Sequence, residues 1–377
     1  MAVTGATGLL GYQVCRAAAA EGYAVRAVVR GERSAALASL SGGPVEQVRA
    51  DLDSPASLRA ALDGVQLLIH CAARYAFGAQ RAQEVHRTND AGTRAVLEAA
   101  AEAGVRRAVV TSSSVTCGSA TTPVARTERD HLRTGGLTAE PAPAYYRSKV
   151  SQERTALAVG DERNLEVVLA LPTVILGGPY ARLAPSNAIV LRYLLDPTRS
   201  TFPGGCNVVD VRDVAKGHVL LLSEGSPGER YLLGGTDLSW RALHTDVSDL
   251  AGRPGPGIEV SPAVAYAVSA AAEAWARLTG DRPLSTTDEA ATVGRWYWYS
   301  SARAEDLGYR ARPAREAVAH SLAWLLVGED LPRWARESLR VDPAVRAARP
   351  LVPRPLDATT LRGRPPRRRR SAPRRPR

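Results

Sequence analysis

Lysine is scarce in this chain: of its 49 basic residues only Lys149 and Lys216 are lysines. Lys149 stands four residues after Tyr145 in the run Tyr145-Tyr146-Arg147-Ser148-Lys149. Where positive charge is otherwise written as arginine, a lysine marks a place for a compact ammonium rather than a planar fork. On a helix the two side chains share one face. An ammonium that close favours the phenolate and draws a phenol down from its usual pKa of about 10. The pair reads as a general acid and its tuner. An exposed tyrosine beside a solvated lysine is the alternative that YxxxK alone leaves open.

A second cluster opens the chain. Val3-Thr4-Gly5-Ala6-Thr7-Gly8-Leu9-Leu10-Gly11 spaces its glycines by three, after an apolar stub and before a helical stretch, Tyr12 to Glu21. Glycine lets the backbone turn tightly and lets a pyrophosphate approach the free N–H groups at a helix start, where the dipole favours negative charge. The loop reads as a dinucleotide cradle, with a plain glycine-capped turn as the alternative. Met1-Ala2-Val3 is short for a central parallel strand, which leaves a start site upstream of Met1 open.

The elements that must position these residues follow in alternation. Short β-branched runs at Ala24 to Val29, Val45 to Val48, Leu67 to His70, Arg107 to Ser112 and Leu165 to Leu171 predict strands. Between them, Ser34 to Leu40, Pro55 to Leu62, Thr93 to Ala103 and Tyr145 to Val159 predict helices. Such alternation writes an α/β fold with a doubly wound parallel sheet, whose ligands gather at the carboxyl ends of the strands. Ser112-Ser113-Ser114 lies at such an end.

Past Pro172 the pattern becomes irregular around a helical segment, Ser186 to Leu195, which suggests a smaller substrate-covering lobe. Val208 to Leu222 and Arg230 to Leu233 predict a helix and a strand returning to the sheet. The expected division is a dinucleotide-binding unit over 1–172 with 206–235 returning to it, a substrate lobe over 173–205 and 236–330, and a tail over 343–377.

The formal charge of +11 belongs mostly to that tail, since Pro350 to Arg377 holds ten arginines and one aspartate and the rest of the chain nets +2. A run such as Arg362-Gly363-Arg364-Pro365-Pro366-Arg367 cannot build a core, so the tail is expected to be a disordered, solvated appendage. Basic charge therefore gives no specific nucleic-acid reading. Cys15, Cys71, Cys117 and Cys206 are widely spaced without CxxC pairing, as in a cytoplasmic protein with reduced thiols. No apolar run is long enough to span a membrane; Ala263 to Leu278 is interrupted by Glu273 and Arg277 and reads as a packed amphipathic helix. His70, His86, His131, His218, His244 and His320 form no ligand spacing, so no metal is expected.

With the glycine loop, the serine-ended strand and YxxxK in one order, the chain resembles the extended short-chain dehydrogenase/reductase superfamily over about residues 1 to 330. Further stretches carry the resemblance: Arg49-Ala50-Asp51-Leu52-Asp53, His70-Cys71-Ala72-Ala73, Asn89-Asp90-Ala91-Gly92-Thr93, Val209-Asp210-Val211-Arg212-Asp213 and Gly228-Glu229-Arg230-Tyr231-Leu232-Leu233-Gly234-Gly235. Within it the chain is most similar to the dihydroflavonol-4-reductase-like group, which includes hopanoid-associated sugar epimerases. The fold so implied is a Rossmann-type doubly wound parallel sheet with a smaller C-terminal substrate lobe.

The resemblance implies Tyr145 as acid/base, Lys149 as ribose contact and tuner, and one serine of the triplet as partner to the carbonyl oxygen. Counting back from Gly118 selects Ser113, with Ser112 and Ser114 left open. It places the cofactor against Gly5, Thr7, Gly8, Leu9, Leu10 and Gly11, against Asp51 and Leu52 near the adenine, and against Ala72 and Ala73. Asn89 would support the cofactor near the site, or else cap the following helix; Asp51 has a plain turn role as its alternative. Pro172, Thr173 and Val174 would present backbone groups to the nicotinamide amide. Arg30 ends the second strand where an NAD enzyme keeps an acid, and with Arg33 suits a 2'-phosphate, which favours NADP over NAD.

The expected function is an NAD(P)-dependent oxidoreductase acting on a small, hydrophobic ketone, aldehyde or alcohol. Nucleotide-sugar epimerisation is the rival, and the absence of an asparagine before Pro172 counts against it. A small-molecule substrate is the expected partner, and a homodimer stays open.

Overall fold

The computed structural model of the protein describes residues 1–40, 45–73, 82–134, 139–179, 183–280 and 285–348. Its first half alternates as the sequence predicts: β1 (Ala2–Thr4), α1 (Leu9–Ala20), β2 (Val25–Val29), α2 (Ala35–Ala38), β3 (Val45–Arg49), α3 (Pro55–Leu62) and β4 (Leu67–His70). There follow α4 (Ala82–Asn89), α5 (Ala91–Glu102), β5 (Arg107–Thr111), α6 (Ala144–Arg163) and β6 (Glu166–Pro172). The second half holds β7 (Val174–Leu176), α7 (Pro185–Leu195), β8 (Gly205–Asp210), α8 (Val211–Glu224), β9 (Arg230–Leu233), β10 (Thr236–Ser239) and α9 (Trp240–Ala251). It closes with α10 (Pro262–Thr279), α11 (Thr287–Ala290), β11 (Trp296–Tyr297), α12 (Ala302–Asp306), α13 (Ala314–Val327), α14 (Arg333–Ser338) and α15 (Pro343–Ala348).

Among the described residues the main sheet has seven parallel strands in the order β3-β2-β1-β4-β5-β6-β9. The chain winds outward from β1 through β2 to β3, then crosses to β4 on the other side of β1. That reversal opens a crevice beyond the carboxyl ends of β1 and β4, where open α/β sheets take their ligands. Three residues suffice for β1 because it is fully buried and pairs on both sides, Val3 opposite Ala27 and Ile69. One apolar layer under the sheet unites α1 and α8 with Val3, Val29, Ile69 and Val109, and another unites α3, α5 and α6 with Leu68, Val110 and Leu169.

Three sequence expectations need correction. Val208 to Leu222 is not one helix: β8 runs to Asp210, whose side chain accepts from the Arg212 N–H and starts α8 at Val211. An aspartate cap divides an apolar run that periodicity alone reads as continuous. β8 joins no strand of the main sheet; it pairs antiparallel with β10 and parallel with β7 and β11 in a second sheet. The tail does not begin at 343, because α15 buries Val345 and Ala348 in one apolar cluster with residues of α9 and α13. The rest of the expected tail, 349–377, lies outside the described residues.

α10 is a helix as expected, but it is not packed by its apolar side. Of its 18 residues only Ser269 and Ala276 are buried. Its inward side is small and polar: Ala276 is buried, Ser269 Oγ lies 2.8 Å from Ser285 Oγ, and Glu273 accepts from the Thr287 N–H at 3.0 Å.

Candidate active site

The glycine turn sits in the crevice between β1 and β4. Gly5 has φ +67°, and a Cβ there would lie 2.8 Å from Ala72 N in the segment after β4. A Cβ on Gly11 would lie 2.2 Å from Gly5 O. The turn is folded so closely onto both neighbours that a larger residue at either position displaces backbone. Gly8 caps α1 without a side-chain hydrogen bond, and the first helical turn holds no acid. The Tyr12 N–H bonds Gly8 O at 3.0 Å, so Leu9, Leu10 and Gly11 present N–H groups without intrahelical partners at the positive end of the dipole. Thr7 and Gly8 are exposed at its rim. These residues fit the pyrophosphate of a dinucleotide.

Ser112-Ser113-Ser114 follows β5, and its three hydroxyls face different ways. Ser112 Oγ donates to Glu153 Oε1, and Ser114 hydrogen-bonds Tyr299. Ser113 is the member that hydrogen-bonds the Tyr145 phenol. Both are buried, and the Tyr145 ring meets Tyr146 edge-on at 6.3 Å, which in turn meets Tyr297 of β11 at 6.2 Å.

Lys149 lies one turn along α6 from Tyr145, 1% exposed, its Nζ 5.9 Å from the Tyr145 ring centroid. It donates to Thr111 O at 2.9 Å and to Gln152 Oε1 at 2.8 Å. The expected lowering of the phenol is not what this arrangement gives. Burial pushes the Tyr145 phenol up, opposed by its Ser113 hydrogen bond. Burial likewise pushes the ammonium down to about 8, against the pull of Glu153 and Cys71. Desolvation outweighs the attraction between the two groups, because both are enclosed while the ammonium points to the end of β5.

Behind Lys149 runs a buried hydrogen-bonded chain. Gln152 Nε2 donates to Thr93 Oγ1 at 2.7 Å, and Thr93 donates to Asn89 O at 2.7 Å. Thr93 Oγ1 is thereby an acceptor for His70 Nε2 at 3.0 Å, which leaves His70 Nδ1 to accept from Thr4 Oγ1 at 2.7 Å. Burial, with Lys149 adding to it, holds the imidazole down at about 3 and so neutral. The Ala72 N–H donates to Thr4 Oγ1 at 3.3 Å, so the chain connects the ammonium to the glycine-turn crevice. Cys71 stands beside it, its thiol raised to about 12 chiefly by burial.

Asn89 ends α4 and does not cap the next helix; its amide donates to Ser148 Oγ at 3.0 Å, tying it to the turn of α6 between Tyr145 and Lys149. Asp51 is exposed, its carboxylate accepting from the Asp53 N–H at 3.2 Å, and Leu52 packs over Gly92. Ala73 is exposed beside Ala72. Pro172 ends β6, Thr173 donates to Asn207 Oδ1 at 2.8 Å, and Val174 begins β7. Beyond β2 a cavity of about 500 Å³ is lined by Val29, Gly31, Glu32, Arg33, Gln47 and Arg49. Arg33 lines it, Arg30 is exposed outside the lining, and Arg49 is a cation that sequence reasoning did not assign.

Sequence reasoning also missed the supports. Gln152 shares the helical face of Tyr145 and Lys149 at i+7 and i+3, a spacing that was there to be read. Glu153 gives no comparable local signal: its carboxylate receives Ser112 and Thr116 hydroxyls and pairs with Arg230 of β9 at 3.1 Å. Glu140, buried at 1% side-chain exposure, gathers Arg126, Arg133 and Arg295 and so fastens the segment before α6. Among the described residues no cluster of metal-binding side chains occurs, and no helix is long and apolar enough to cross a membrane.

A parallel sheet with a glycine turn at its reversal is a dinucleotide-binding frame, and the family and relatives it matches make the protein an NAD(P)-dependent enzyme of the extended short-chain dehydrogenase/reductase type. The chain belongs to the NAD dependent epimerase/dehydratase family, whose model matches residues 1–234. It is 29% identical over 331 residues to a candidate dihydroflavonol 4-reductase of Synechocystis sp., covering 85% of this chain and 93% of that one. It is 33% identical over 260 residues to sterol demethylase protein B of Methylococcus capsulatus, covering 69% and 77%. The crystal structure of gox2253 superposes with a TM-score of 0.73 at 32% identity, covering 86% of this chain and 97% of that one.

Proposed function

We propose that the protein interconverts a carbonyl and an alcohol on a small, hydrophobic substrate, with NADP preferred over NAD. The observation that carries this reading is the buried contact of Ser113 with Tyr145 at the carboxyl end of β5. When bound, the dinucleotide supplies the hydride. Tyr145 gives its proton to the substrate oxygen, and Ser113 donates a hydrogen bond to the same atom. A phenol raised by burial stays protonated at neutral pH, the form that reduction requires.

Lys149 keeps a positive charge behind the phenol below its pKa of about 8 and is oriented by Gln152 and Thr111. Asn89, through Ser148, holds that turn of α6. Tyr146 and Tyr297 pack edge-on beside Tyr145 within the apolar core, so the surroundings of the phenol are apolar, which supports an apolar substrate. The similarity to a candidate dihydroflavonol reductase supports reduction as the direction. Arg33 and Arg49 in the cavity beyond β2 support a 2'-phosphate.

The reading is tested by denaturing the purified protein, identifying any nucleotide released, and titrating the emptied protein with NADPH and NADH. Tighter NADPH binding and NADPH oxidation driven by apolar ketones are expected. Stoichiometric released NAD, with no ketone-driven oxidation, would overturn it in favour of epimerisation, in which the cofactor is regenerated every cycle.

A further inference from the structure

α10 leaves its large apolar residues exposed. Its inward side carries small and polar residues, Ala276 with Ser269 and Glu273, as the Ser269–Ser285 and Glu273–Thr287 contacts show, and its large apolar residues face out. Val264, Val268, Trp275 and Leu278 are 52%, 59%, 66% and 83% exposed. With Ala271 between them, these positions fall at successive turns and form one stripe along the helix. Tyr266, 54% exposed, stands near one end of the helix and Trp275 near the other. The stripe contains no charged residue, since Glu273 is turned toward Thr287 and Arg277 pairs with Glu273 away from it.

The geometry points to the surface of an anionic lipid bilayer as the partner of this face. An 18-residue helix is about 27 Å long. One face of it covers roughly 300 Å², far below the roughly 800 Å² that each partner gives to a stable protein interface. A second copy of the chain on this stripe alone is therefore poorly supported. A bilayer has no such requirement, because it takes an apolar helix face together with a second, electrostatic signal. The sequence carries that signal: Pro350 to Arg377 holds ten arginines against one aspartate. Arginines near an anionic headgroup layer attract the chain, while Trp275, Leu278 and Val268 enter the boundary region.

α10 belongs to the same part of the chain as β11, whose Tyr297 flanks the Tyr146–Tyr145 pair. Lipid attachment would bring this side of the enzyme to the phase into which apolar carbonyl compounds partition. The attachment itself does not depend on the proposed activity.

The test is flotation of the full-length protein with vesicles of phosphatidylcholine alone and of equimolar phosphatidylcholine and phosphatidylglycerol. The protein should float with the anionic vesicles, less with the neutral ones, and less with either at high salt. The double variant Trp275→Glu, Leu278→Glu should lower the bound fraction about tenfold or more. Val264→Glu with Val268→Glu, at the other end of the stripe, should act alike; both pairs alter exposed side chains only. Failure of the unaltered protein to float, or equal flotation of the variants, would overturn the inference. So would a dimer of the unaltered protein that either variant converts to monomer, since that assigns the stripe to a second copy.

Discussion

The Gln152 side-chain oxygen accepts a hydrogen bond from Lys149 Nζ at 2.8 Å, one helical turn along the face that also carries Tyr145. The ammonium is buried without a carboxylate in contact, so this amide and the Thr111 carbonyl are what hold it. An interior cation kept by neutral acceptors is sensitive to the loss of either one.

Gln152→Leu removes one acceptor and leaves Thr93 without its amide donor. It is expected to lower stability by about 1–3 kcal/mol and to lower the Lys149 pKa further. Gln152→Glu places a carboxylate there and should raise it. The alkaline limb of kcat/KM should move in opposite directions in the two variants, by about one pH unit each. An unmoved limb in both would assign Gln152 a packing role alone.

The unaltered enzyme has its own pH signature. Lys149 loses its proton as pH rises through about 8, while the raised Tyr145 phenol keeps its own. kcat/KM for carbonyl reduction, which reports the free enzyme, should hold to about pH 8 and fall above it. Stability carries the complementary sign. The folded pKa of Lys149 lies below its ordinary value of 10.5, so between the two the unfolded chain binds the extra proton. The penalty is complete below about 8 and disappears above about 10.5, so stability from this group rises with pH across that window. Lys149→Met should therefore stabilise most below pH 8, with the difference from the unaltered protein closing as pH rises. Denaturant melts across the window check this.

The cavity beyond β2 separates two arginines that sequence reasoning had joined. Arg33 and Arg49 line it, and Arg30 does not. Arg33→Ala or Arg49→Ala should weaken NADPH binding roughly tenfold, the loss of one charge-assisted contact, and leave NADH within about twofold. Arg30→Ala should change neither by more than about twofold. Titration of both nucleotides with each variant distinguishes the three.

The sequence made the main sheet legible because its strands and helices alternate in runs long enough to show their period. Leu67–His70 and Pro55–Leu62 appear with the bounds expected for them. The second sheet was hidden because β7 and β11 are three and two residues long, and β8 runs without a loop into α8. α10 was read as packed because apolar content alone does not say which face turns inward. The candidate site was legible where its residues share one helix or one loop, as Tyr145 with Lys149 and Gly5 with Gly11. Glu153–Arg230 and Glu140 with its three arginines join distant segments, and no local spacing announces them. The phenol's direction of shift was misjudged for a related reason: proximity in sequence shows the attraction, whereas burial depends on the whole fold.

The central claim is that Tyr145 passes the proton that accompanies hydride transfer. Tyr145→Phe removes one hydroxyl from a buried ring. NADPH affinity of this variant should stay within about threefold, while ketone-driven NADPH oxidation should fall by about 10²-fold or more. Turnover near that of the unaltered enzyme, with binding intact, would contradict the account.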